Sequence, residues 1–180
     1  LAGLEALEEA AKTVEAMANR MRETVRPAES LAENKANNLI YTVSELLDEL
    51  AIALRRLRCI GEAAGAEGTR VKTLCTTWRI VEGDSSGLML IRIKPETVVK
   101  LSDGRLLFHR GVVRMEAEGT RVKLCKWSYC KEFNTADRAG IIKELPQLLY
   151  LLRHVANAVR KSAEAVLVCA RQSASECVRI

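Results

Sequence analysis

The stretch Glu118-Gly119-Thr120-Arg121-Val122-Lys123-Leu124-Cys125, followed by Trp127, decides how the middle of this chain folds. Glu-Gly-Thr reads as a turn, and the alternation that follows reads as a strand with Arg121 and Lys123 on one face. The pattern occurs earlier as Glu67-Gly68-Thr69-Arg70-Val71-Lys72-Thr73-Leu74-Cys75, followed by Trp78. Two such copies about fifty residues apart, both opened by turn residues, each predict a strand of one antiparallel sheet. In regular strands one face would carry Arg70, Lys72 and Trp78 in the first copy. In the second it would carry Arg121, Lys123, Cys125, Trp127 and Tyr129. The additional Thr73 leaves room for a bulge that moves Trp78 to the other side.

Working outward, the period-two pattern runs from about 69 to 129. It divides into five strands near 69–81, 88–94, 96–101, 105–115 and 120–129. Ser102-Asp103-Gly104 is a tight hairpin turn, and Pro95 bends the chain. Met89, Ile91, Ile93, Leu107, Val113 and Met115 form the expected apolar face. Arg92, Lys94, Phe108, Arg110 and Arg114 stand opposite them.

Before the sheet the period changes to that of helices. Leu4, Ala11, Ala18 and Val25 alternate with Leu7, Val14 and Met21 in a heptad over residues 1–26. A longer helix is expected from about 28 to 63, with Leu39, Val43, Leu46, Leu47, Leu50, Leu54 and Leu57 as its apolar stripe. Its arginines Arg55, Arg56 and Arg58 read as a helix-end feature, and Gly61 and Gly65 as terminators. After the sheet, Asp137 suits the first turn of a short helix and Pro146 the start of a long one. Leu145, Leu152, Val159 and Val166, with Leu148, Val155 and Cys169, predict a seam along that last helix. The fold class is therefore α+β: two N-terminal amphipathic helices, a β-meander of four to five strands, and a long C-terminal helix. Residues 1–134 form a helical hairpin plus sheet, and residues 135–180 a helix expected to dimerise.

The chain of 180 residues carries 28 Lys and Arg against 23 Asp and Glu, a net charge of +5. The excess is local. Residues 1–63 hold 8 cations against 11 acids, residues 64–134 hold 13 against 8, and residues 135–180 hold 7 against 4. A basic sheet segment with aromatic residues among its cations has the parts of a single-stranded nucleic-acid surface: cations for phosphates and rings for bases. The candidate contacts are Arg70, Lys72, Trp78, Arg92, Lys94, Phe108, Arg110, Arg114, Arg121, Lys123, Trp127 and Tyr129, with Lys126 and Phe133 beside them. The competing reading makes the tryptophans core anchors and the protein a structural or protein-interaction subunit assembled through its helices. Exposure of Trp78 and Trp127 separates the two.

No nucleophile–base pair, carboxylate pair or glycine-rich phosphate loop stands out, so no enzyme is expected, and no cofactor. The six cysteines have no C-x-x-C spacing and the two histidines lie far apart, so no metal site is expected. A Cys75–Cys125 or a Cys169–Cys177 bond is left open. With no apolar run long enough to cross a membrane and no leader pattern at its start, the expectation is a cytoplasmic protein. Arginine exceeds lysine 18 to 10 and there are only two glutamines, a composition that leans toward a thermophile.

The order of elements resembles the ThermoDBP-like single-stranded-DNA-binding proteins of hyperthermophilic archaea: helices, a basic and aromatic antiparallel sheet, then the zipper-like helix from Leu145 to Cys169. The resemblance is architectural. It implies DNA or RNA held sequence-tolerantly in a basic cleft and a homodimer through the last helix. The alanines, Ser162 and Cys169 of this seam depart from a leucine zipper.

Overall fold

A computed structural model describes residues 3–66, 70–72, 77–82, 89–93 and 97–180, with side chains over 3–66 and 97–180. Four helices are described: α1 (Glu5–Arg22), α2 (Leu31–Ala63), α3 (Arg138–Lys143) and α4 (Leu145–Ser173). Ser30 starts α2 by accepting the Glu33 backbone N–H at 3.1 Å, and Glu33 in turn accepts from the Glu29 N–H at 2.9 Å. The Ser-x-x-Glu spacing thus satisfies two donors at the helix entry. Asp137 caps α3 by accepting from Gly140 N–H, and Pro146 sits in the first turn of α4. Both were expected from the sequence.

The heptad positions of α1 and the leucine stripe of α2 are buried against each other, and α2 packs in turn on α4. Burying one such side chain stabilises by roughly 1.5–3 kcal/mol. Arg55 bridges the outer pair, donating to Glu15 at 2.7 Å and to Glu8 at 3.3 Å. Because α2 continues to Ala63, the three arginines lie before its final turn. Arg55 and Arg58 tie it to α1, and Arg56 donates to the Val178 carbonyl at 3.0 Å. They are fasteners between segments, in place of the expected helix-end feature.

The sheet is an antiparallel meander, and among the described residues it has eight strands in sequence order. They are β1 (Arg70–Lys72), β2 (Thr77–Glu82), β3 (Met89–Ile93), β4 (Thr97–Ser102), β5 (Arg105–Arg110), β6 (Val113–Glu118), β7 (Arg121–Lys126) and β8 (Tyr129–Asn134). Two of the five expected strands are hairpins, a third stops at a turn, and β8 adds a strand beyond them. Gly111-Val112 turns within the segment 105–115, Trp127-Ser128 ends the segment 120–129, and the segment 69–81 divides into β1 and β2.

One face of β4–β8 lies on the helices. Val99, Leu101, Leu106, Phe108, Met115, Ala117, Val122, Leu124 and Phe133 are buried there, and α4 covers β6, β7 and β8. The other face is open, with Lys100, Arg105, His109, Glu118, Arg121 and Glu132 exposed. The α4 seam is buried in this same core: Leu145, Leu148, Leu152, Val155, Val159, Val166 and Cys169 all pack inside the chain. The heptad that suggested dimerisation is therefore used up within the protomer. Ser162 marks why the seam is not all leucine, since its hydroxyl meets Thr97 Oγ1 at 2.8 Å and accepts from Arg110 Nη1 at 3.0 Å.

Two disulfides are described, and neither follows the pairings left open above. Cys59 of α2 joins Cys177 in the C-terminal 3-10 turn, and Cys125 joins Cys130 across β7 and β8. Cys169 is disulfide-bonded as well, and no cysteine is free among the described residues.

Candidate nucleic-acid interface

The strand register sorts the predicted contacts by face. Residues directly opposite in an antiparallel pair share a face, so the chain of partners Arg70, Arg79, Arg92, Val98, His109, Arg114, Cys125 and Cys130 lies on the open one. Lys72, Arg121 and Lys123 occupy the same face. Of the twelve predicted residues, Arg114, Arg121 and Lys123 therefore stand on the open sheet face, and Arg70, Lys72 and Arg92 hold register positions of that face. Lys94 lies outside the described residues.

The remaining predictions are corrected. Phe108 is fully buried, between Val99 and Met115 in the sheet register and among the core residues under the helices. Phe133 is buried too. Arg110 points to α4 and its Ser162. Trp78 pairs with Val71 and Ile93, the row that continues through buried Thr97, so its register position is on the helix side, opposite Arg70. Tyr129 also lies on the helix side, opposite Lys126, at the edge of the sheet. The aromatics thus do not interleave with the open-face cations.

Those cations are also partly matched by acids. Arg105 pairs with Glu118 at 3.2 Å, and Glu116 receives Arg114 at 3.7 Å and Lys123 at 3.9 Å. These exposed pairs contribute little to stability. Arg105, Glu116, Glu118 and Lys123 line a shallow depression of about 590 Å³, together with Lys100, Arg121 and Glu132. Mixed charge of this kind offers no clear preference for a polyanion.

The rings gather instead at the tip of the β7–β8 hairpin. Trp127 takes the first central position of its two-residue turn at φ 55°, and its N–H donates to the Val112 carbonyl at 2.8 Å. In the other two-residue turns the same position is held by Gly111 and Gly119, at φ 59° and 60°, and by Asp103 at φ 47°, a short polar residue that tolerates this region. Glycine reaches that region without steric cost, whereas a bulky L-residue does not. The Trp127 side chain is 73% exposed, so no burial offsets the strain. Such a combination is a mark of a functional position.

Tyr129, two residues on in the chain, and Tyr150 of α4 are both 42% exposed, with ring centroids 6.3 Å apart. Lys126 lies 5.6 Å from the Tyr150 ring centroid and Arg153 5.9 Å from it, close enough for cation–π attraction. His154 packs edge-on against Tyr150 at 4.9 Å, with its Nε2 3.4 Å from Lys126 Nζ. Partial burial, then the positive charges of Lys126 and Arg153, lower the His154 pKa below its ordinary value. Its neutral ring is an acceptor for the lysine.

Sequence reasoning found Trp127 and Tyr129 but missed Tyr150, Arg153 and His154. These sit on α4, where the i, i+3, i+4 spacing of 150, 153 and 154 puts them on one exposed stripe. That spacing was the available signal. Among the described residues no cluster of His, Cys, Asp and Glu is arranged to hold a metal, and no helix is long and apolar enough to cross a membrane. Comparison of the chain with protein-family models, curated proteins and solved structures finds no match.

Proposed function

We propose that this protein binds single-stranded nucleic acid, without sequence preference, at the corner built from Trp127, Tyr129, Tyr150, Lys126 and Arg153. The observation that carries the reading is Trp127 itself, an exposed ring on strained backbone, next in the chain to Lys126 and two residues before Tyr129, both of which meet the Tyr150 ring. A ring so exposed leaves apolar surface in water, and that surface is removed from water when a flat partner covers it. A stacked base contributes roughly 1–3 kcal/mol whatever its identity. Lys126 and Arg153 supply the salt-dependent attraction for its phosphates. Duplex fits less well, because its bases are already stacked and no groove-reading helix is offered among the described residues. The single strand is DNA first, by the resemblance in element order, with RNA as the alternative.

The test is fluorescence anisotropy of labelled single-stranded DNA and RNA at two salt concentrations, with a duplex control and Trp127→Ala beside the unaltered protein. Expected are salt-weakened binding of single strands, quenching of tryptophan emission, and loss of both in W127A. Absence of binding at low salt overturns the reading.

One observation favours a second reading, a non-enzymatic protein-interaction module. Disulfides such as Cys59–Cys177 persist in oxidising surroundings, or inside hyperthermophiles. A cytoplasmic protein is proposed only with the hyperthermophile option. In an extracellular setting the same rings and cations would meet a protein partner, and oligonucleotides would leave Trp127 emission unchanged.

A further inference from the structure

We infer that the nucleic acid crosses the strands of the sheet along one row of the open face, leading away from Trp127; this rests on the binding reading above. The row is the succession of register partners Arg70, Arg79, Arg92, His109 and Arg114, one on each of β1, β2, β3, β5 and β6, with Val98 on β4. It contains no carboxylate. The acids of the open face described here, Glu116, Glu118 and Glu132, all stand in the neighbouring rows farther from the hairpin tip. Arg79 is the member that strand alternation alone did not reveal, because its row is set by pairing between strands.

The row continues on β7 and β8 as Cys125 and Cys130, the last open-face pair before the turn that carries Trp127. Arg114 Nη2 lies 3.5 Å from Cys125 Sγ, so the cations come up to the disulfide at the base of the tryptophan hairpin. Neighbouring strands are about 4.8 Å apart, so β1 to β6 spans about 24 Å. For a strand that keeps the stacked spacing of about 3.4 Å per nucleotide, this is room for about seven nucleotides. A polyanion lying along the strands would pass the acids of the mixed rows, whereas among the described residues one lying across them at this end meets only Glu116, where it reaches over to Arg114 at 3.7 Å.

The experiment compares the full chain with Arg79→Gln and Arg92→Gln together, with Lys100→Gln and Arg121→Gln together as the neighbouring-row control, and with Trp127→Ala. Binding of dT oligonucleotides of increasing length is measured over a salt series, and far-ultraviolet circular dichroism verifies each fold. The track predicts affinity rising with length to about seven nucleotides and a log–log salt slope shallower by about 1.4 in the R79Q/R92Q protein, from about 0.7 per lost phosphate contact. The control pair should leave the slope near that of the unaltered chain. If R79Q/R92Q keeps the full slope while W127A loses binding, the track is wrong and the corner stands. If affinity saturates at two or three nucleotides, the track is likewise overturned. If the unaltered protein binds no oligonucleotide, the binding reading and the track fall together.

Discussion

Cys125 and Cys130 are bonded directly across the β7–β8 hairpin and bracket the four residues Lys126 to Tyr129 that carry the proposed contact. Cys59 and Cys177 do a different job, closing a sequence separation of 118 residues against only 5 for the hairpin bond. In the chain-entropy account, stabilisation grows with the logarithm of loop length, about 5 kcal/mol for the long loop and about 2 kcal/mol for the short one. Thermal unfolding of Cys59→Ser/Cys177→Ser should therefore show much the larger fall in Tm. The Cys125→Ser/Cys130→Ser protein should lose less stability. A larger loss in the hairpin variant would contradict the assignment of the two roles.

Phe108 separates the corrected site from the expected one. As a fully buried core ring it should cost about 3–5 kcal/mol on truncation to alanine, read as a drop in the denaturation midpoint. Were it an interface ring on the open face, F108A would unfold like the unaltered protein.

That misplacement has one physical cause, and the same cause misplaced Trp78, Arg110 and Tyr129. A two-residue hairpin pairs Arg110 with Val113 and Lys126 with Tyr129, so even-numbered residues face odd-numbered ones after the turn. Reading 105–115 as one strand keeps a single parity and sends Phe108 to the wrong side. Gly111 was the only local sign of the turn, and Trp127, in a position usually left to glycine, concealed the next one. The helices were more legible. A heptad such as Leu7, Val14, Met21 continues over several turns without a phase change, and Asp137 and Pro146 mark their starts. The Lys126–Tyr150 contact was not legible, because it joins two elements whose docking no local pattern specifies.

The buried polar group Ser162 links sheet to helix through Thr97 and Arg110, and also donates to the Ala158 carbonyl at 3.0 Å. Replacing it with alanine leaves an Arg110 donor without that acceptor in a half-buried place. A loss of about 1–3 kcal/mol in chemical denaturation is expected. Arg110→Gln should disturb stability but spare oligonucleotide affinity, since Arg110 faces α4. A loss of affinity at unchanged stability would return Arg110 to the contact surface.

His154 gives the corner a pH signature. Its folded pKa is lowered, first by burial and then by Lys126 and Arg153, whereas the unfolded chain titrates near 6.5. Between those two values the unfolded state holds more protons, so stability rises with pH through this window and falls as the solution is acidified through it. Lys126→Ala should raise the His154 midpoint toward 6.5, though not fully, because the burial remains. Proton NMR titration of the His154 ring reads this directly. An unchanged midpoint in K126A would mean that the 3.4 Å contact with Lys126 carries no electrostatic weight.

Trp127 provides the sharpest opposition between folding and function. At φ 55° it holds a conformation that costs an L-residue about 1–2 kcal/mol, and its largely exposed ring recovers little of this by burial. Glycine at the same turn position removes the strain but enlarges the conformational freedom of the unfolded chain, so the net gain is smaller, about 0.5–1 kcal/mol. Trp127→Gly should therefore raise the Tm slightly while removing single-strand binding. Trp127→Ala keeps the positive-φ penalty and should lose binding with no such gain. If W127G instead destabilises the hairpin, the indole is part of the packing of Tyr129 and Tyr150, and its exposure is no argument for a ligand. If W127G is more stable and still binds with unaltered affinity, the strain at this turn has no functional counterpart.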